Sequence, residues 1–264
     1  MRIHSAREAA EDLLSGFMQW RIWLLLAFQD IRQRYRRTVL GPFWLSLSTA
    51  IWIGSLGLVF GTLFRVNLPE FFPYVAAGTI IWVMLSQIVT ESCTVFLLAK
   101  HIIESMNMPF SVQIFRFVSK AMINFFHNIV IFVLVVLIFP VDYGLETLLV
   151  IPGLFLVLLN AIWLSLVLGI FGARYRDLQQ IMQSLVQVTF FVTPIFWTRE
   201  LLGNRPYLAD LNPLFHFLEI VRAPLLGTAP SMLSYSVVIV ITIVGWIASF
   251  VTFRQLRSRV YFWL

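Results

Sequence analysis

The sequence predicts an all-α integral membrane protein: six transmembrane helices, an N-terminal amphipathic interfacial helix, and short re-entrant helices between spans five and six. Three observations carry this. The chain is 59% hydrophobic and 12% charged, with a mean hydropathy of +0.86, whereas an ordinary soluble domain is about one quarter charged. It holds a series of nearly uncharged runs close to the roughly 20 residues that a helix needs to cross hydrocarbon. Basic residues outnumber acidic ones, 19 against 13, and they fall in alternate connections, the bias that orients membrane proteins. The basic excess is therefore assigned to topology and not to nucleic acid. The one cysteine, Cys93, lies in an apolar run and gives no disulfide framework.

Residues 1–41 are expected at the cytoplasmic surface. Leu13, Phe17, Trp20, Leu24, Ala27, Phe28 and Ile31 recur at helical spacing, but charges break the run too often for it to span. Such a segment lies in the membrane plane, with Trp20 and Trp23 at headgroup depth. Acidic Glu8, Glu11 and Asp12 precede WRIWLLLAF at 20–28 and no small-residue cleavage site follows, so processing is not expected. Arg32, Arg34, Arg36 and Arg37 then form a basic cluster, either a topology anchor or a hold for a phosphate-bearing substrate.

A membrane domain over 42–254 follows. Pro42 opens span one, 43–64, in which Gly54, Gly57 and Gly61 share a face where another helix backbone could approach. Pro73 starts span two, ending near Ala99. Residues 100–111 make a polar inner loop, and span three runs to Phe139 with Arg116, Lys120 and His127 in its first half. If spans two and three form a hairpin about that loop, Glu91 and Lys120 sit at one depth and pair; a substrate or proton role is the other reading of intramembrane charge. His127 is expected as a hydrogen-bonded interior residue. Residues 140–147 form a short acidic outer loop, and span four covers 148–171.

The chain is organised around 172–197. Arg174, Arg176 and Asp177 want water, and from Ile181 to Trp197 there is no charge: span five. Thr193-Pro194 near its far end frees backbone groups that only protein or a water-lined path can satisfy, so this span borders a route. Residues 212–227, with prolines at both ends and apolar residues between, suit short helices dipping back into the membrane. Span six is 234–253, and 255–264 is a cytoplasmic tail. With both termini inside, every Lys and Arg except Arg65, Arg199, Arg205 and Arg222 lies at the cytoplasmic end.

No phosphate-binding G-x-x-x-x-G-K-[ST] loop is present, and four scattered histidines give neither a metal site nor a nucleophile–base pair. Aromatic residues make up 16% of the chain, more than interfacial belts need. Phe190, Phe191, Phe196 and Trp197 are candidates to line a path on which sugar faces stack.

Three motifs together resemble the membrane-spanning subunits of ABC-2-type polysaccharide exporters: RYRRTVLGPFW at 34–44, ARYRDLQQIMQSLVQVTFFVTPIFW at 173–197 and NPLFHFLEIVRAPLLG at 212–227. MPFSVQIFRFVSKAMINFFHN at 108–128 looks like the O-antigen branch, although capsule and teichoic-acid exporters share the first two motifs. The resemblance implies a permease in the bacterial inner membrane with both termini cytoplasmic. It implies a homodimer with two copies of a separate ATPase that binds the ATP and Mg, so this chain itself carries no cofactor. The cargo would be a glycan on undecaprenyl diphosphate, with Arg34, Arg36 and Arg37 holding its headgroup. Ile102, Ile103, Glu104, Ser105 and Met106, with Arg174, Arg176 and Asp177, would touch the ATPase. Residues 212–227 would be the re-entrant periplasmic helices, and spans one and five would border the conduit. A polytopic enzyme acting on polyprenyl-linked sugars should instead cluster carboxylates or histidines at one face, where Asp142 and Glu146 stand alone. A scaffold would not need Glu91, Lys120 and His127 within its spans.

Overall fold

The computed structural model describes residues 6–36, 38, 41, 43–106, 108–202 and 207–264, and among these there is no strand. Two short helices, α1 (Ala6–Met18) and α2 (Trp20–Arg34), precede α3 (Phe43–Phe64) and α4 (Leu68–Glu91). A 3₁₀ turn at Ser92–Thr94 leads to α5 (Val95–Leu98) and α6 (Lys100–Ser105), then to α7 (Ser111–Ile138) and α8 (Val150–Arg174). The rest is α9 (Leu178–Val192), α10 (Tyr207–Asp210), α11 (Pro213–Leu225) and α12 (Met232–Trp263). Among the described residues, five helical stretches are long and apolar enough to cross a membrane: Phe43–Phe64, Leu68–Ser105, Ser111–Ile138, Leu145–Arg174 and Met232–Trp263.

Expected and observed spans differ where local chemistry overrides hydropathy. Pro73 lies inside α4 and does not start it; the helix begins at Leu68, with Asn67 before it and Pro69 in the first turn, where a missing N–H is harmless. The apolar run at 181–197 holds a helix of only 15 residues, about 22 Å at 1.5 Å per residue, and it stops at Thr193. The expected tail at 255–264 is the uninterrupted end of α12. The interfacial segment is two helices broken at Gln19, with Phe17, Trp20 and Phe28 on their exposed faces.

α4 is the core of the bundle, burying residues on every side, and it packs on α3, α7, α8, α9 and α11. α8 pairs with α12 and lies along the 3₁₀ turn. There a Cβ on Gly172 would collide with the Cys93 carbonyl, and Ser92 and Ser165 share a hydrogen bond at 2.8 Å. Glycine is thus required for backbone contact at 172. The predicted glycine face on α3 meets side chains instead of a backbone: Gly57 faces the Phe72 ring, Gly61 faces Leu68, and Gly54 has nothing near it.

Candidate functional site

At the end of α9 the chain leaves the helix and folds back, and Thr193, Pro194, Ile195 and Phe196 are all buried. Backbone groups released there find protein partners. The Pro194 carbonyl accepts from Tyr74 Oη at 3.2 Å and from Arg222 Nη1 at 2.5 Å, and the Trp197 carbonyl accepts from Tyr74 Oη at 3.0 Å. Thr193 Oγ1 accepts from Asn212 Nδ2 at 2.8 Å. Arg222 is 3% exposed, stacks 4.2 Å above the Tyr74 ring and pairs with Glu219 at 2.6 Å. This network ties α11 to the return after α9, and neither Arg222 nor Tyr74 was singled out by sequence.

That return completes an aromatic groove of about 660 Å³ between α3, α4 and α9. α3 supplies Trp52, Leu56 and Phe60 at four-residue spacing, and α4 supplies Trp82 and Ser86. Phe190 is the hub, with ring centroids 6.3 Å from Trp52, 5.8 Å from Trp82 and 5.4 Å from both Phe191 and Phe196. Of the four aromatic candidates, Phe190, Phe191 and Phe196 line the groove. Trp197 does not; its indole N–H donates to the Phe191 carbonyl at 3.2 Å and so caps α9. Trp52, Phe60 and Trp82 lie far away in sequence and only the fold brings them here.

Glu91 of α4 and Arg116 and Lys120 of α7 are all engaged. Lys120 Nζ lies 2.6 Å from Glu91 Oε2, as a hairpin of α4 and α7 requires. Glu91 also holds Arg34 at 3.7 Å and accepts from Gln87 at 3.3 Å. One turn away, Arg116 makes a two-pronged pair with Asp30 of α2, at 2.7 and 2.5 Å, a geometry in which both guanidinium edges are fixed. Asp30 was not anticipated as that partner; it sits one helical turn before Arg34 on the same helix. The basic cluster is therefore divided. Arg34 turns to Glu91, whereas Arg32 and Arg36 line an open cleft of about 790 Å³ with Tyr35, Phe28 and His127. Arg37 lies outside the described residues. His127 has its Nδ1 2.8 Å from the Ile123 carbonyl.

The two expected contact segments lie at one end of the molecule. Ile102 and Ile103 are half-buried on α6, while Glu104, Ser105 and Met106 are exposed, as are Arg174, Arg176 and Asp177 between α8 and α9. α12 joins them. Arg174 lies 5.4 Å over the Trp263 ring, and Lys100 Nζ donates to the Leu264 carbonyl. Arg257 reaches Asp12 of α1 at 2.9 Å, and the same fully buried carboxylate accepts from the backbone N–H groups of Phe110 and Ser111 at 3.2 and 3.0 Å. Asp12 thus caps α7 from another helix, a role that hydropathy cannot reveal.

Fold and site together define a multi-pass membrane component built around a groove. The chain belongs to the ABC-2 type transporter family, whose profile matches residues 21–226. It is 23% identical over 219 residues to the O-antigen export system permease protein RfbA of Myxococcus xanthus, covering 80% of this chain and 83% of that one. It is 20% identical over 241 residues to a protein of the same name from Klebsiella pneumoniae, covering 89% and 92%.

Proposed function

We propose that this chain is the permease subunit of an ATP-driven exporter that moves an undecaprenyl-diphosphate-linked O-antigen across the bacterial inner membrane. It acts as a homodimer with two copies of a separate ATPase subunit, which supplies the ATP and Mg. Resemblance to two O-antigen export permeases over most of their length supports the cargo class. The surface of α9 is the observation that carries the rest. It buries no residue, and it exposes Gln180, Gln183 and Gln187 beside Ile181, Leu185 and Val188. Hydrocarbon does not accommodate such a run of amides, so α9 calls for a second copy and a polar path beside it. In this reading α9 and the return to Trp197 form the fifth of six crossings, α10 and α11 are re-entrant periplasmic helices, and both termini are cytoplasmic.

The mechanism follows from the division of charges. A diphosphate arriving in the inner leaflet meets Arg36 and Arg32 in the open cleft, close in sequence to the basic Arg34 and Arg37. ATP-driven closure of the partner moves α6 and the Arg174–Asp177 turn. Because α12 bonds to both, they shift together, and a tilt of α3 against α9 opens the aromatic groove by population shift. The test is co-expression with an ABC ATPase, co-purification, and ATP-dependent uptake of the lipid-linked glycan into inverted vesicles. Arg36→Glu is expected to cut uptake at least tenfold while leaving the complex intact. Failure to recover any ATPase with the chain rejects the proposal, and full uptake by the variant rejects the cleft as the headgroup's hold.

A further inference from the structure

A second cleft, of about 290 Å³, lies between α2, α4 and α7 and belongs to neither the groove nor the Arg36 site. Its polar wall is Asp30, Glu91, Gln113, Arg116 and Lys120, with Leu98 and Phe117 beside them. Gln113, Arg116 and Lys120 follow one another at three- and four-residue spacing, so one face of α7 brings all three to the cleft. Gln113 is 1% exposed, and its Oε1 accepts from Arg116 Nη1 at 3.0 Å. Its Nε2 has no partner. A buried amide without an acceptor costs about as much as a lost hydrogen bond, and an acceptor entering the cleft removes that cost.

The donor count says what kind of acceptor. Asp30 is taken up by Arg116, and Glu91 by Lys120, Arg34 and Gln87. Arg116 has five N–H donors and Lys120 has three, more than those contacts use, and both hydrogens of the Gln113 amide are free. Within the lining two cations face two carboxylates, and Arg34, 3.7 Å from Glu91, adds one formal positive charge in excess. An acceptor-only group with a single negative charge matches both features. A phosphodiester has that composition. The position suits a lipid-borne one, since the sequence of α2 is that of a helix lying at the membrane surface and Leu98, at the cleft's edge, is 79% exposed.

We propose that the cleft between α2, α4 and α7 binds the phosphate of an anionic phospholipid from the cytoplasmic leaflet, with Gln113 Nε2, Arg116 and Lys120 as donors. This lipid is a resident one, distinct from the cargo, and the site stands whatever the chain transports. By fixing α2 against α4 and α7 it sets the tilt of the interfacial helix.

Native mass spectrometry of the purified protein, delipidated and then titrated with phosphatidylglycerol, tests this. One tight adduct per chain is expected, at least tenfold tighter than with phosphatidylcholine, whose phosphodiester bears the same single negative charge but whose trimethylammonium makes the lipid neutral and would set a cation beside Arg116 and Lys120. Gln113→Leu should weaken it about tenfold or more, the worth of one hydrogen bond to a charged group. Gln113→Glu retains the acceptor for Arg116, sets an anion against the phosphate and should abolish the adduct. Both variants are first checked for unchanged elution and unfolding temperature without lipid, and if Leu misfolds the Glu variant decides. Wild-type affinity in the folded variants overturns the proposal. So does equal retention of phosphatidylcholine, or displacement of the lipid by millimolar inorganic phosphate, which would make the ligand a free anion. Displacement by farnesyl diphosphate with the same dependence on Gln113 also overturns it, by assigning the cleft to the cargo.

Discussion

A charge inside a membrane protein is informative only with its partners, and Arg222 illustrates how much context matters. From sequence it is one of four basic residues at the outer end. In the fold it is buried, stacked on Tyr74, paired with Glu219 and bonded to the Pro194 carbonyl. Arg222→Met strands the Glu219 charge and leaves the Pro194 carbonyl to Tyr74 alone, and breaking such a buried pair costs about 3 to 5 kcal/mol. The expected result is a clear drop in unfolding temperature in detergent, larger than that of Arg199→Met, whose own side chain is 43% exposed where it pairs with Asp210, against 4% for Arg222. Glu91 and Lys120 were legible because two loop-to-charge distances agreed. Asp30 was not, since nothing in a linear pattern says which way α2 faces. The third charge alters the outcome of an exchange experiment. In Glu91→Lys with Lys120→Glu, the new lysine faces Arg34, which now sits 3.7 Å from Glu91, and like charges repel. The double exchange should recover only part of the stability lost by either single change, and adding Arg34→Gln should recover more. A double variant as unstable as the worse single one would show that the pair is not what matters.

For whole helices, the legible features were those set by long apolar runs. α3 has the predicted bounds, and α7 and α8 end within about three residues of theirs, because no competing signal interrupts them. The errors fall where a local rule beats hydropathy. Proline starts a helix where no backbone N–H is needed; position 69, in the first turn, is such a place, and Pro73 falls inside the helix already begun. Thr193-Pro194 ends α9 early because Tyr74, Asn212 and Arg222 offer the freed groups better partners than a further turn of helix does. The 3₁₀ turn at Ser92–Thr94 was invisible, yet it shapes the contact between α4 and α8. A mid-helix 3₁₀ stretch often marks a hinge, and this one lies directly after Glu91 and before the exposed α6. Gly172→Val puts side-chain atoms into the Cys93 carbonyl, and no flexible neighbour can yield. Loss of monodisperse protein on size exclusion is expected for this variant. Gly54→Ala, with open space around the added carbon, should elute as the parent does. Equal behaviour of the two would remove the close α8 contact from the account.

Taken as one body, the chain is complete at its core and unfinished on one side. α4, α7 and α8 bury residues against neighbours, but α9 buries none. Its residues Ile181, Leu185, Val188 and Val192 form a stripe with exposures of 52%, 51%, 65% and 54%. Lipid could cover such a stripe alone; it cannot also cover Gln180, Gln183 and Gln187 beside it without leaving their amides unpaired. The proposed homodimer would resolve the conflict, since an isologous contact about a two-fold axis puts the same stripe on both sides of the axis. The aromatic groove of each copy would then open toward the other. Cysteines introduced singly at Ile181, Leu185 and Val188, in a Cys93→Ala background to remove the buried native thiol, should be joined between copies by a short bis-maleimide in membranes. Apparent mass on a denaturing gel would double for these three, and a cysteine at Leu137, 73% exposed on the far end of α7, would stay at monomer mass. Monomer at every α9 position, with the Leu137 variant cross-linking instead, would place the partner surface on α7 and leave α9 facing water within a single chain.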